Sequence, residues 1–272
     1  MKRIDDAFAR QRAAGRTVLI PYVTAGDPSL AAMPAILDAL VEAGADLIEL
    51  GVPFSDPMAD GPVVQRASER ALAQQVGLGD VIALVAAFRR SNASTPIVLM
   101  GYANPIEAMG TDAFATRARD AGVDGVLVVD YPPEEAGDFA ALLVSRDIAP
   151  VFLLAPTTPE SRIERIAAMG RGYVYYVSLK GVTGAAHLDV ADVARKLAEI
   201  RRHVRIPVGV GFGIRDAAGA CAIAAHADAV VIGSRIITEI EHGAPAEAPS
   251  RAGSFLATIR SALDARARAP AA

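Results

Sequence analysis

Tryptophan is absent from the 272 residues, and cysteine occurs once. A lone thiol, Cys221, cannot close an internal disulfide, so this is no disulfide-stapled scaffold, and in its alanine-rich surroundings Cys221 reads as a small core residue. Lysine is nearly as scarce, present only as Lys2, Lys180 and Lys196. With a formal net charge of −4 and no basic cluster interleaved with aromatics, the chain lacks the footprint of a nucleic-acid binder. The histidines, His187, His203, His226 and His242, are scattered without metal-ligand spacing, so no metal is expected. No apolar run approaches the roughly 18 residues of a membrane span. The opening stretch MKRIDDAFARQRAAG carries acids and no apolar core, so no secretory signal is expected and the expected compartment is the cytoplasm.

What the chain has is apolar content, 52% of residues, enough for a large core. It is distributed as short Val, Ile and Leu runs alternating with helical patterns. Strands are expected over 17–23, 47–50, 96–100, 125–129, 151–154, 173–177, 206–210 and 229–233. Helices are expected over 3–14, up to 43, 63–75, 80–90, 111–121, 134–146, 159–169, 189–202 and 216–225, and a closing helix over 250–266 after a linker GAPAEAPS. The strands run continuously apolar instead of alternating, as parallel strands covered on both faces require. Eight strand–helix units fit an α/β fold of the (β/α)8 TIM-barrel type, with an extra N-terminal helix and additional short helices. Residues 1–268 are expected to form one barrel domain and 269–272 a frayed tail. A doubly wound open sheet is the runner-up, but no dinucleotide glycine fingerprint follows the first strand. Ala-Gly-Ala-Asp at 43–46, Ala-Gly-Val-Asp at 121–124 and Ala-His-Ala-Asp at 225–228 each launch a strand, an echo of one repeated unit.

One residue breaks the second apolar run. Glu49 shares a pleat face with Leu47, and in a strand covered on both sides its carboxyl lies in an apolar interior. Desolvation raises the pKa of such a group towards neutrality, where it can both give and take a proton. A structural acid paired with arginine is the plainer alternative. The loop beyond, stiffened by Pro53, Pro57 and Pro62, carries Asp56 and Asp60, and it can bring a second carboxylate to the first. Its apolar members Pro53, Phe54, Pro57 and Met58 suit a lid or a contact surface for another protein.

Barrel active sites lie where the strands end, so the residues just past each run are the candidates. These are Glu49 and Asp60, Tyr102 and Asn104, Asp130, then Lys180, Thr183 and Gly184. Gly209, Gly211, Phe212 and Gly213 end strand seven, and Gly233 and Ser234 end strand eight. The last two groups suit an anion: glycines allow close approach, and Gly233-Ser234 opens a short helix whose free N–H groups favour phosphate. Tyr173 reads as packing inside the barrel, whereas Tyr175 either packs or reaches Glu49. Lys180 allows a rival, Schiff-base aldolase chemistry on a sugar phosphate, although an amine on a glycine-flanked loop is more readily solvated than buried.

With these residues assembled, the sequence resembles the tryptophan synthase alpha chain family. IELGVPFSDPMADGP (48–62) is similar to its most characteristic motif, and PYVTAGDP (21–28), GYANP (101–105), VDYPPEE (129–135), SLKGVTGA (178–185) and VGFGI (210–214) follow in matching order. The resemblance implies retro-aldol cleavage of indole-3-glycerol phosphate to indole and glyceraldehyde 3-phosphate. Glu49 would be the acid/base and Asp60 the acceptor of the ring N–H. Tyr175 would support Glu49, and Tyr22, Leu127 and Phe212 would line the indole pocket. Thr183 would close a loop over substrate, while Gly184, Gly213, Gly233 and Ser234 would hold the phosphate. No cofactor is implied for this chain; pyridoxal phosphate is implied on a partner beta chain in an alpha2-beta2 heterotetramer. Pro53, Asp56, Pro57, Asn104 and Pro132 would meet that partner. Tyr22 stands where phenylalanine is frequent, and Met58 where leucine is. A non-catalytic regulatory barrel is the remaining alternative.

Overall fold

The computed structural model describes residues 1–177, 190–211 and 213–268. Lys180, Thr183, Gly184 and Phe212, the loop 180–188 and the tail 269–272 lie outside the described residues. Eight parallel strands close into a barrel in chain order: β1 (Val18–Thr24), β2 (Ile48–Gly51), β3 (Ile97–Gly101), β4 (Gly125–Val128), β5 (Ala149–Leu154), β6 (Val174–Val177), β7 (Val208–Gly211) and β8 (Ala229–Ile232), with β1 pairing β8. Around them, among the described residues, lie α1 (Lys2–Ala13), α2 (Met33–Glu42), α3 (Pro62–Ala73), α4 (Leu78–Phe88), α5 (Ala103–Met109), α6 (Thr111–Ala121), α7 (Gly137–Ser145), α8 (Glu160–Met169), α9 (Val190–His203), α10 (Ala217–Ala224), α11 (Ser234–Glu241) and α12 (Ala248–Arg268).

The pleat divides each strand between two cores. Val23, Leu50, Leu99, Tyr176 and Val210 face the helices, while Ile20, Leu47, Val98, Leu127, Val151 and Tyr173 fill the barrel. The anticipated strands and helices fall within a few residues of the observed ones. α5 was not anticipated: its Pro105 discourages a helical reading, yet it sits in the first turn, where no N–H is required. The expected linker holds a 3-10 turn at Pro245–Glu247, and α12 starts at Ala248, earlier than expected, with Pro249 again in the first turn.

The repeated Asp has a structural account. Asp46, Asp124 and Asp228 precede β2, β4 and β8, and each accepts a backbone N–H from the first or second residue of the preceding strand, Leu19, Ile97 and Val208, at 2.9 Å in all three cases. Each carboxylate also meets an arginine: Arg260 for Asp46 at 3.1 Å, Arg89 for Asp124 at 2.6 Å, Arg201 for Asp228 at 3.2 Å. These pairs lock strand register at the N-terminal rim, leaving the opposite rim to chemistry. No described helix is long and apolar enough to cross a membrane.

Candidate active site

At the C-terminal rim a cavity of about 650 Å³ opens into the barrel, walled by Tyr22, Glu49, Asp60, Tyr175, Gly213, Gly233 and Ser234 among others. Glu49 is fully buried. Its backbone registers against Tyr22 on β1 and Val98 on β3, so the carboxyl projects inward between two apolar neighbours. Tyr173 donates its hydroxyl to Glu49 Oε1 at 2.5 Å, and Oε2 has no hydrogen-bond partner among the described residues. Burial drives the Glu49 pKa up to about 7, and the Tyr173 hydrogen bond only partly opposes it. At neutral pH this group exists in both forms.

Asp60 reaches the same cavity from the loop between β2 and α3. The loop folds on itself, Asp60 N–H to Pro57 O at 3.0 Å, and Gln65 Nε2 holds Asp60 O at 2.8 Å. Tyr102 donates its hydroxyl to Asp60 Oδ2 at 3.0 Å. Burial raises the Asp60 pKa, and this hydrogen bond works against the rise. Nearby phenols, those of Tyr22 and Tyr175, feel the Asp60 charge and are pushed upward themselves, burial being the larger cause.

Two glycines make room for the aromatic walls. A Cβ on Gly51 would stand 2.6 Å from Tyr22 Cζ, and one on Gly211 would stand 2.6 Å from Tyr175 Cζ. The hydroxyl end of each ring packs against a strand-end glycine, which leaves no room for a side chain there. The Tyr22 hydroxyl is directed to Thr24 Oγ1 at 3.4 Å. At the far side of the cavity Gly233 is the N-cap of α11 and Ser234 its first residue, so first-turn N–H groups lie at the cavity wall beside Gly213, whose φ of +81° only glycine adopts freely. Arg235 also borders the cavity, but its guanidinium is held by Glu239 and lies 5.4 Å from the Phe255 ring.

The structure corrects two expectations. Tyr173, read as packing, is the phenol bonded to Glu49; Tyr175, expected in that role, instead forms cavity wall. Both alternate inward on β6, so sequence could not say which hydroxyl lies level with Glu49 across the barrel. Leu127 is fully buried and is no part of the cavity wall; Val129, the next residue on its face, is. Of the residues expected to meet a partner, Pro53 is buried. Asp56 and Asn104 are exposed, Pro57 and Pro132 half-buried, and Met58 is 85% exposed. The sequence reading also missed Met100, Leu153 and Val177 as walls, although period-two alternation carried to the strand ends marks them as inward. Among the described residues no group of His, Cys, Asp or Glu is arranged to hold a metal ion.

Comparison with known proteins agrees with this geometry. A family model described as tryptophan synthase alpha chain matches residues 8–263. The chain is 66% identical over 280 residues to the tryptophan synthase alpha chain of Bordetella parapertussis, covering 99% of this chain and 98% of that one. It is 62% identical to the Laribacter hongkongensis alpha chain, covering 97% of this chain and 100% of that relative. Among solved structures, tryptophan synthase subunit alpha from Legionella pneumophila superposes with a TM-score of 0.90 at 38% identity, covering 97% of this chain and 98% of that chain. Tryptophan synthase from M. tuberculosis in its aminoacrylate-bound form gives a TM-score of 0.85 at 34% identity, covering 96% of this chain and 99% of that chain. A family model matching most of the chain, together with relatives at 62% and 66% identity over nearly its whole length, leaves one conclusion: the chain belongs to the tryptophan synthase alpha chain family.

Proposed function

We propose that this chain is the lyase that splits indole-3-glycerol phosphate into indole and glyceraldehyde 3-phosphate. The observation that carries the reading is the buried Glu49 carboxyl, with a pKa near 7 and one unpartnered oxygen, walling the same cavity as the helix-start amides at Gly233 and Ser234. The phosphate belongs at those amides and at Gly213, the indole between Tyr22, Tyr175, Met100, Val129 and Leu153. The family resemblance adds Thr183, Gly184 and Phe212.

Protonated Glu49 gives its proton to the indole carbon that bears the glycerol chain. Positive charge develops on the ring, and ionised Asp60 accepts the ring N–H and stabilises that charge. Glu49, now a carboxylate, takes the proton of the adjacent glycerol hydroxyl. The carbon–carbon bond breaks, its electron pair returns to the ring, the aldehyde forms, and Glu49 is again protonated. One carboxyl serves both steps because its pKa lies near the working pH. Each transfer contributes on the order of 10² to 10⁴ in rate.

Indole is an uncharged product, suited to being handed on, and the family implies a beta chain as partner. We assign pyridoxal phosphate to that beta chain alone, an alpha2-beta2 assembly, and a docking surface made of Asp56, Pro57, Met58, Asn104 and Pro132. Family membership lends no support to a Schiff-base aldolase on Lys180 or to a non-catalytic regulatory barrel. The test is incubation of the purified chain with indole-3-glycerol phosphate, with and without a beta chain. Equal amounts of indole and glyceraldehyde 3-phosphate are expected; no indole under either condition refutes the assignment.

A further inference from the structure

Tyr102 follows β3 directly, is 4% exposed, and is absent from the wall of the large cavity. It nonetheless makes three separate contacts with the loop that carries Asp60. Its ring stacks on Phe54 with centroids 5.0 Å apart and planes at 27°. Its hydroxyl accepts the Ala59 N–H at 3.1 Å and donates to Asp60 Oδ2 at 3.0 Å. A phenol has one proton to give and lone pairs to receive, so accepting from Ala59 leaves the single donor for Asp60 and fixes its direction. Phe54 in turn fixes the ring plane. Both ends of an irregular loop are therefore referred to one rigid side chain from a different strand.

We propose that Tyr102 is a positioning residue for the lyase reaction: its hydroxyl holds the Asp60 carboxylate at the cavity wall, in its ionised form and aimed at the substrate ring. This rests on the role given to Asp60 under Proposed function. No other side chain among the described residues hydrogen-bonds that carboxylate. The titratable groups around it are the Tyr102 phenol behind the wall and, along the cavity, the phenols of Tyr22 from β1 and Tyr175 from β6, the Glu49 carboxyl from β2, and the guanidiniums of Arg215 and Arg235; burial is the force raising its proton affinity. Among the described residues neither arginine pairs with the Asp60 carboxylate, and Arg235 is held by Glu239. Removing the Tyr102 hydroxyl thus deletes the one side-chain hydrogen bond among the described residues that favours ionised Asp60.

The test is Tyr102→Phe, which keeps the stack on Phe54 and deletes only the hydroxyl. In a ¹³C carboxylate titration of the full chain, the resonance identified by its loss in Asp60→Asn should titrate about one pH unit higher in Tyr102→Phe than in the parent. In indole release, the acid limb of kcat/KM should move up by the same amount, kcat at neutral pH should fall about tenfold, and KM should stay within about threefold. An Asp60 titration that coincides in the two proteins overturns the proposal, whatever happens to kcat. A parent chain that releases no indole refutes the assigned reaction instead, and the carboxylate titration still decides the role of Tyr102.

Discussion

The Tyr173 hydroxyl and Glu49 Oε1 are 2.5 Å apart, while Glu49 Oε2 is left without a partner. The phenol anchors one oxygen from within the barrel and leaves the other for chemistry. It also stabilises the ionised form, so burial and Tyr173 oppose each other in setting the Glu49 pKa near 7.

Tyr173→Phe removes the opposing half. In the proposed reaction protonated Glu49 gives its proton to the indole carbon, so the parent rate should fall as pH rises through about 7. Without the phenol that descending limb moves to higher pH by up to about one unit, and kcat drops severalfold as the carboxyl loses its anchor. A pH–rate profile of kcat/KM for the two proteins checks both.

Glu49 should cost the fold stability at high pH. Its folded-state pKa lies near 7, above the ordinary value of 4.5, so the folded chain keeps a proton that the unfolded chain has released. Stability falls as pH rises from about 4.5 to 7, by roughly 3 kcal/mol in all, and stays reduced above that. Glu49→Gln removes this dependence. Urea midpoints should diverge above pH 7, in favour of the glutamine variant, and converge towards pH 5.

Gly51→Ala brings a Cβ to within 2.6 Å of Tyr22 Cζ. The ring must leave its place at the cavity wall, and the overpacking should cost about 1–3 kcal/mol. Thermal melts should register that loss, and KM should rise more than kcat falls, since Tyr22 is proposed to lie against the indole and is given no part in proton transfer.

The opposite rim should behave differently. Asp124 is 2% exposed and meets Arg89, Arg3 and the Ile97 N–H. Asp124→Ala strands a mostly buried arginine and an unsatisfied amide, at a cost of about 3–5 kcal/mol. Denaturant titration should show that loss while kcat at a temperature where the variant is folded stays within about twofold of the parent.

Much of this was legible before any coordinates, for identifiable reasons. Continuous apolar runs between helical patterns fit covered parallel strands, and eight of them fit a closed barrel better than the open sheet weighed beside it. Glu49 stood out because no other charged residue interrupts an expected strand, and Gly233-Ser234 because a glycine after a strand opens a helix. What sequence could not supply was level across the barrel. Tyr173 and Tyr175 share a face, as do Leu127 and Val129, and only the stagger of eight strands decides which of each pair meets the cavity. Tyr102 was noted for its place at a strand end, but its partner lies on another loop. The repeated Asp was visible as a pattern; its meaning, an accepted N–H from the neighbouring strand, needed the pairing register.

The most direct measurement is single-turnover indole release from indole-3-glycerol phosphate by the parent chain and by Glu49→Gln, with substrate affinity determined in parallel. Proton transfer through this carboxyl requires the variant to bind substrate within a few-fold of the parent and to release indole at least about 10²-fold more slowly at every pH. Release within tenfold of the parent would contradict the assignment of both proton transfers to Glu49.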